Sequence, residues 1–279
     1  MGVLNVTPDS FYDGGRYYEG HDAHIHSSEL REAWVQRAVE RGVQLFDEGA
    51  RYIDIGGESS RPGADPVSIE EELARVIPVI EQLSQRLPEA VISIDTVKPE
   101  VASEALRCGA SVINDIRGLR DPRLREVAAE ARAGVVIMHM RGTPKTMQEG
   151  DLSSADIVSD VYHGLKESAT RAVESGIAPQ SIALDIGVGF GKTVMQNLSL
   201  LHALDHFLAL GYPLLVGVSR KSMIGALTGA STAERLPGSL AAIVEARRRG
   251  ASIFRVHDVA ESDQALKVAE AINQVSRDL

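Results

Sequence analysis

One phrase recurs along the chain: a helix-like run, a glycine, then a short β-rich run that ends in polar residues. It reads DEGARYIDIGG at 47–57, RCGASVINDI at 107–116, EARAGVVIMHM at 130–140 and RRRGASIFRVHDV at 247–259. VESGIAPQSIALDIG at 173–187 is a longer variant. The glycines sit where a helix stops in a left-handed turn before the chain reverses. A chain that alternates helix and strand in this way folds as layered α/β structure around a parallel sheet.

Eight segments read as strands: 2–6, 51–56, 90–95, 110–115, 134–139, 181–186, 213–218 and 251–257. They are dense in Val, Ile and Leu without clean polar alternation, as expected for strands covered on both faces. Helix-like segments lie near 29–48, 68–87, 98–108, 121–132, 155–176, 195–210, 232–249 and 261–276. Ser68 with Glu71 reads as a capping box, and Pro99 suits an early helix position. Eight strands alternating with eight helices predict a (β/α)8 TIM barrel, one domain spanning 1–279. An open doubly wound sheet is the runner-up, disfavoured because no Gly-rich fingerprint follows the first strand. The first strand begins almost at Met1 with nothing ahead to cover the barrel's lower mouth, so a natural start further upstream is expected.

Composition narrows the function. The net charge of −10 argues against a general nucleic-acid binder, though a few convergent cations can still dominate a pocket. Cys108 is the one cysteine, which rules out an intramolecular disulfide and a thiolate zinc site. No apolar run approaches the ~20 residues of a membrane span, and the N-terminus lacks a secretory signal. A soluble cytoplasmic protein is expected, with no nucleic-acid or membrane partner.

A barrel carries its chemistry at the C-terminal ends of its strands, and there the polar residues collect. The ends hold Asn5; Asp54 and Glu58; Asp95; Asn114 and Asp115; His139; Asp185; Ser219, Arg220 and Lys221; Arg255 and His257. Buried charges are costly unless paired or used, so the collection predicts a binding site. Asp54 and Glu58 read as structural hydrogen-bonding residues. The glycine loop LDIGVGFGKT at 184–193 fits neither the P-loop nor the dinucleotide spacing. His21, His24 and His26 suit no common zinc motif and read as a solvated loop. His139 reads as a satisfied rim histidine, Glu70–Glu72 as a helix first turn, and Arg247–Arg249 as a helix end. Long connections at 7–28, 57–67 and 140–154 leave one rim and could close over a substrate.

These stretches together resemble the dihydropteroate synthase family. GVLNVTPDSFYDGG, GGESSRPGA, IDTVKPEVA, INDIRG, VIMHMRGTPKTMQ, LDIGVGFGKT, GVSRKSMIG and FRVHDV follow in that family's order along nearly the whole chain. Two departures stand out: Ile186 replaces the usual proline after the aspartate, and Ser60 replaces a threonine. The resemblance implies a transferase that joins 6-hydroxymethyl-7,8-dihydropterin diphosphate to p-aminobenzoate in folate biosynthesis, releasing diphosphate. It implies that Asp185, Asn114 and Asp95 bind the pterin, and that Arg255, His257, Arg61 and Ser60 cradle the diphosphate. It further implies that Phe190 approaches the substrates, that Lys221 lies between pterin and p-aminobenzoate, and that Ser222 and the loop with Ser60, Arg61 and Pro62 lie near the benzoate carboxylate. Asn5 would be a ligand of Mg2+, Asp9 would act from the first loop with Ser10 and Phe11, and a homodimer is expected. A corrinoid methyltransferase on a related pterin-binding barrel and a non-catalytic pterin-binding paralogue are the alternatives.

Overall fold

A computed structural model of the chain describes residues 1–7, 28–60, 63–148 and 152–275. Eight parallel strands run in sequence order: β1 Gly2–Asn5, β2 Tyr52–Gly56, β3 Val91–Asp95, β4 Val112–Asp115, β5 Gly134–Met138, β6 Ile182–Asp185, β7 Leu214–Val216 and β8 Ile253–Phe254. The sheet closes on itself. Val3 N–H donates to the Val256 carbonyl at 2.9 Å, and Val256 N–H donates to that of Met1 at 3.0 Å. The expected (β/α)8 barrel is therefore the architecture, and all eight strand segments are present.

Around it lie α1 Ser28–Asp47, α2 Ile69–Arg86, α3 Pro99–Arg107, α4 Pro122–Glu130, α5 Ile157–Glu174, α6 Val194–His202, α7 Ser222–Thr228, α8 Leu236–Arg248 and α9 Val259–Val275. The short α7, between β7 and α8, falls where the sequence predicts no element. It opens after Lys221 and ends on left-handed Gly229. The expected helices at 195–210 and 232–249 are each partly 3-10: Leu204–Leu210 follows α6, and Thr232–Glu234 precedes α8. Ser68 caps α2 by accepting from Glu71 N–H at 3.1 Å. The reciprocal half of the expected capping box is missing because the Glu71 carboxylate pairs with Arg75 one turn on.

The recurrent glycine does what was expected at Gly109, which ends the α3 turn at φ 118°. In EARAGVV the left-handed residue is instead Arg132, φ 52°, and Gly134 already opens β5.

Within each strand successive side chains face opposite sides of the sheet. One set meets the helices: Leu4, Ile53, Ile55, Ile92, Ile94, Ile113, Val135, Ile137, Ile182, Leu184, Leu214 and Phe254 join helix residues such as Val76, Ile80 and Leu83 in the main core. The other set fills the barrel. Its lower part is apolar, with Val136, Ala183 and Leu215 packed with Val112, Ile253 and Met1. Above them the same parity brings Asp54, Asp95, Asn114, Asp185 and Arg255 inward. Apolarity over the whole strand length thus belongs to the helix-facing set, while the inward set is apolar only in its lower part.

Leu83 of α2 is fully buried against Gly42, where an added Cβ would lie 2.7 Å from its Cδ1. Leu83→Ala is expected to cost about 2–5 kcal/mol, read as a lower urea midpoint at unchanged slope. An unchanged midpoint would mean that the α1–α2 seam is not close-packed.

Candidate active site

Asp54 sits in the middle of β2 and is wholly buried. A lone carboxylate there would be strongly destabilising, so its donors define the site. The Ser93 hydroxyl donates to it at 2.6 Å, the Asn114 amide at 3.0 Å and Arg255 Nε at 2.6 Å. Arg255 then reaches Asp95 with Nη2 at 2.8 Å. Residues from β2, β3 and β4 are thereby tied to one that follows β8, across the barrel mouth. Burial pushes the Asp95 carboxyl up to about 7; Arg255 opposes that, and Asp54, Glu72 and Asp115 reinforce it.

Asp185 ends β6 on the same side and is also buried. One oxygen accepts Gly187 N–H at 2.7 Å, closing a local turn. Burial raises its pKa, while that bond and the charges of Lys221, Lys192 and Arg255 pull it back. Lys221 follows β7 and places Nζ 4.2 Å from the centre of the Phe190 ring, a cation–π contact. Burial and the nearby Arg255 lower the Lys221 ammonium to about 8, against Asp185 and Asp95. Ile116, Met138, Met140 and Met147 form a separate apolar cluster beside Phe190 and Val97. The mouth thus offers acceptors deep inside, cations next to them and an apolar wall.

Residues 1–257 match the pterin binding enzyme family. The Escherichia coli K12 dihydropteroate synthase is 49% identical over 271 residues, covering 97% of this chain and 90% of that protein. The chain belongs to the pterin-binding enzymes, in the dihydropteroate synthase family. Among solved structures, a Yersinia pestis dihydropteroate synthase in a sulfonamide drug complex superposes with a TM-score of 0.87. It is 42% identical and covers 98% of this chain and 94% of its own. A Xanthomonas albilineans dihydropteroate synthase in complex with 7,8-dihydropteroate has a TM-score of 0.81 at 40% identity, covering 98% and 92%.

The structure brings five of the residues implied by the family resemblance to one mouth: Asp95, Asn114, Asp185, Lys221 and Arg255. Phe190 joins them through Lys221. His257 stands at the mouth, its Nδ1 3.1 Å from the Ser219 hydroxyl. Asn5 ends β1 beside Gly56, half-buried. Ser60 is half-buried in the connection after β2, and Ser222 is exposed at the start of α7. Asp9, Arg61 and Pro62, with Ser10 and Phe11, lie outside the described residues, as do His21, His24 and His26.

Several rim residues have purely structural partners. Arg220 turns away to a two-point ion pair with Asp258 at 2.7 and 2.8 Å. Glu58 accepts from Lys98 at 2.5 Å, and Lys98 also pairs with Glu72. Asp115 accepts the N–H groups of Arg117 and Leu119 at 2.7 and 2.8 Å. His139 has helix-facing parity, with a Cβ on Gly164 of α5 lying 2.9 Å from its ring. Its buried Nδ1 has no partner, so the expectation of a satisfied histidine fails there. Ile186 is fully buried in the main core.

Asp54 is the residue whose reach the sequence understates; its parity with Asp95 and Asn114 across the paired strands was the available signal. Lys192 lies in the Gly191-Lys192-Thr193 stretch that only resembles a phosphate loop, and its sequence context points to no role of its own. Its ammonium, buried at 3% exposure, donates to the carbonyls of His139, Gly187 and Phe190 at 3.1, 2.8 and 3.0 Å.

The lowered Lys221 pKa carries a stability sign. With a folded value near 8 and an ordinary value of 10.5, the unfolded chain binds this proton more tightly. Lys221 therefore costs stability below about pH 8, and the cost fades as pH rises toward 10.5. Lys221→Met is expected to raise the unfolding free energy at pH 7 by on the order of 1 kcal/mol, read as a higher urea midpoint, with the gain shrinking above pH 9. A lower midpoint at pH 7 would show that the ammonium is net stabilising.

Proposed function

We propose that this chain condenses 6-hydroxymethyl-7,8-dihydropterin diphosphate with p-aminobenzoate, giving 7,8-dihydropteroate and diphosphate. The observation that carries this reading is the Asp54–Arg255–Asp95 chain of charge-assisted bonds beside Asp185 and Lys221. A pterin presents adjacent N–H donors on its pyrimidine edge. The free Asp185 oxygen accepts from that edge, a charge-assisted contact, and Asn114 both donates and accepts at a neighbouring ring position. Arg255 lies on the side from which the diphosphate leaves, and His257, Ser60 and Arg61 extend the cationic and hydroxyl cradle.

Bond breaking at the pterin methylene carbon sends the electron pair to the diphosphate oxygen and leaves a cation conjugated with the ring. The Asp95 carboxylate stabilises that cation. The amine nitrogen of p-aminobenzoate then forms the new C–N bond and loses a proton, which Asp95, poised near neutrality, can accept. Phe190 and the aliphatic part of Lys221 hold the benzoate ring, with Ser222 and the loop bearing Ser60, Arg61 and Pro62 toward its carboxylate. Asp9 acts from the first loop by excluding water from the cation.

Asn5 fits one ligand position of Mg2+, which prefers oxygen donors and is commonly held by few protein ligands plus substrate phosphates. Among the described residues no group of three His, Cys, Asp or Glu forms a protein cage, and a bound Mg2+ would rely on substrate phosphate and water beside Asn5. When bound, Mg2+ supplies charge neutralisation of the leaving diphosphate.

A homodimer belongs to the same reading. It is supported by Val268, Ile272 and Val275, exposed at 57%, 57% and 61% and spaced along one face of α9. Sedimentation of the purified chain should give twice the chain mass, and Ile272→Asp should give the single mass; a wild-type monomer contradicts the dimer. The reading places the enzyme in the cytoplasm. No helix among the described residues is long and apolar enough to cross a membrane.

Incubation with both substrates and Mg2+ should yield dihydropteroate and diphosphate in equal amounts; binding of pterin without product contradicts the proposal. Asp185→Ala should lose about 2–3 kcal/mol of transition-state stabilisation, roughly 30- to 150-fold in kcat/KM. Unchanged kinetics would remove Asp185 from the pocket.

A further inference from the structure

The loop at 187–191 follows Asp185 directly and carries Phe190, yet little in its own sequence holds it still. Three glycines give it backbone freedom, and Gly187, Gly189 and Gly191 all take positive φ. At Gly187 the approach is extreme, since an added Cβ would lie 1.9 Å from the His139 carbonyl oxygen. That carbonyl, with those of Gly187 and Phe190, converges on one point occupied by Lys192 Nζ. Three carbonyls use all three N–H donors of an ammonium. Burial works against the charge and nearby Asp185 supports it. A buried ammonium with every donor used on backbone carbonyls of the loop and the end of β5 has no valence left for a substrate phosphate, although Gly191-Lys192-Thr193 reads like a phosphate-binding sequence.

The same loop is tied at two further points. Gly187 N–H donates to Asp185, and Gly189 N–H donates to the buried Asn197 of α6 at 2.8 Å. Asn197 in turn donates to the Thr193 carbonyl at 2.9 Å. What this internal frame presents is the half-buried Phe190 ring, whose face meets Lys221 Nζ at 4.2 Å.

We propose that Lys192 is a positioning residue: it acts from inside the loop, clamping the Gly187 and Phe190 carbonyls to the end of β5, and so fixes Phe190 beneath Lys221 on the aromatic-amine side of the site. Asp185 is held by β6 itself, and Asn114 and Asp95 by β4 and β3. Loss of the clamp therefore falls on p-aminobenzoate rather than on the pterin. This assignment of the affected substrate rests on the function proposed above; the clamp itself does not.

Two measurements on Lys192→Met separate the two. Amide hydrogen exchange across 187–191 in the free protein requires no turnover. The clamp predicts exchange at least tenfold faster there, with the β3 and β4 amides unchanged; protection equal to wild type overturns it. In steady-state kinetics the expected result is a KM for p-aminobenzoate raised about tenfold, with the pterin diphosphate Kd changed less than threefold. Equal weakening of both substrates overturns the assignment to the amine side. Combined with Phe190→Leu, the kinetic effects should be non-additive; full additivity contradicts action through Phe190. Should Lys192→Met fail to fold, Asn197→Ala releases the same loop from its other side. Faster 187–191 exchange and non-additivity with Phe190→Leu are then expected, and their absence overturns the proposal.

Discussion

The site depends on one buried carboxylate. Asp54 is placed mid-strand in the barrel interior, where an unpaired charge is strongly unfavourable. Its three donors come from β3, β4 and the residue after β8, so satisfying it draws together elements spread over about two hundred residues. Arg255 is bound on one side by Asp54 and on the other by Asp95, leaving its position fixed before any ligand arrives. A preorganised cation beside a carboxyl whose pKa is raised by burial suits a reaction in which an anion leaves and a cation forms, because no reorganisation is needed as charge develops.

Around that centre the barrel divides its labour by side-chain parity. Helix-facing positions supply packing, lower interior positions fill the bore, and upper interior positions carry chemistry. The division explains why neighbouring polar residues have opposite fates. Asn114 faces the mouth, whereas Asp115 caps the turn that follows β4; Lys221 meets Phe190, whereas Arg220 pairs with Asp258 outside it. The groups proposed to face the pterin sit on strands, and those proposed for p-aminobenzoate sit on loops and on α7. A rigid pocket for one substrate beside a more adjustable one for the other follows from that placement.

Much of this was legible in the sequence. The repeated helix–glycine–strand phrase gives the barrel, since each copy supplies one strand and the turn before it. Asp95, Asn114, Asp185 and Arg255 could be placed at strand ends because apolar runs stop at them. The parts that were not legible depend on three-dimensional closure. Asp54 interrupts an apolar run without ending it, so its inward direction emerges only when β2 is paired in register with β3. Lys192 resembles a phosphate ligand until its ammonium is seen enclosed by carbonyls. Arg132 takes a left-handed turn that Gly134 advertises, because the strand starts at the glycine. Helix α7 is seven residues long, too short for a periodic stripe to announce it.

The account stands on the claim that the strand ends form a single mouth, with acceptors for a heterocycle on one side and cations for its phosphates on the other. A crystal structure of the protein soaked with the pterin diphosphate tests it most directly. The account requires the pyrimidine edge on Asp185 and Asn114, with the diphosphate directed toward Arg255 and His257. Density for the ligand anywhere else, or with its phosphates on Lys192, would contradict it.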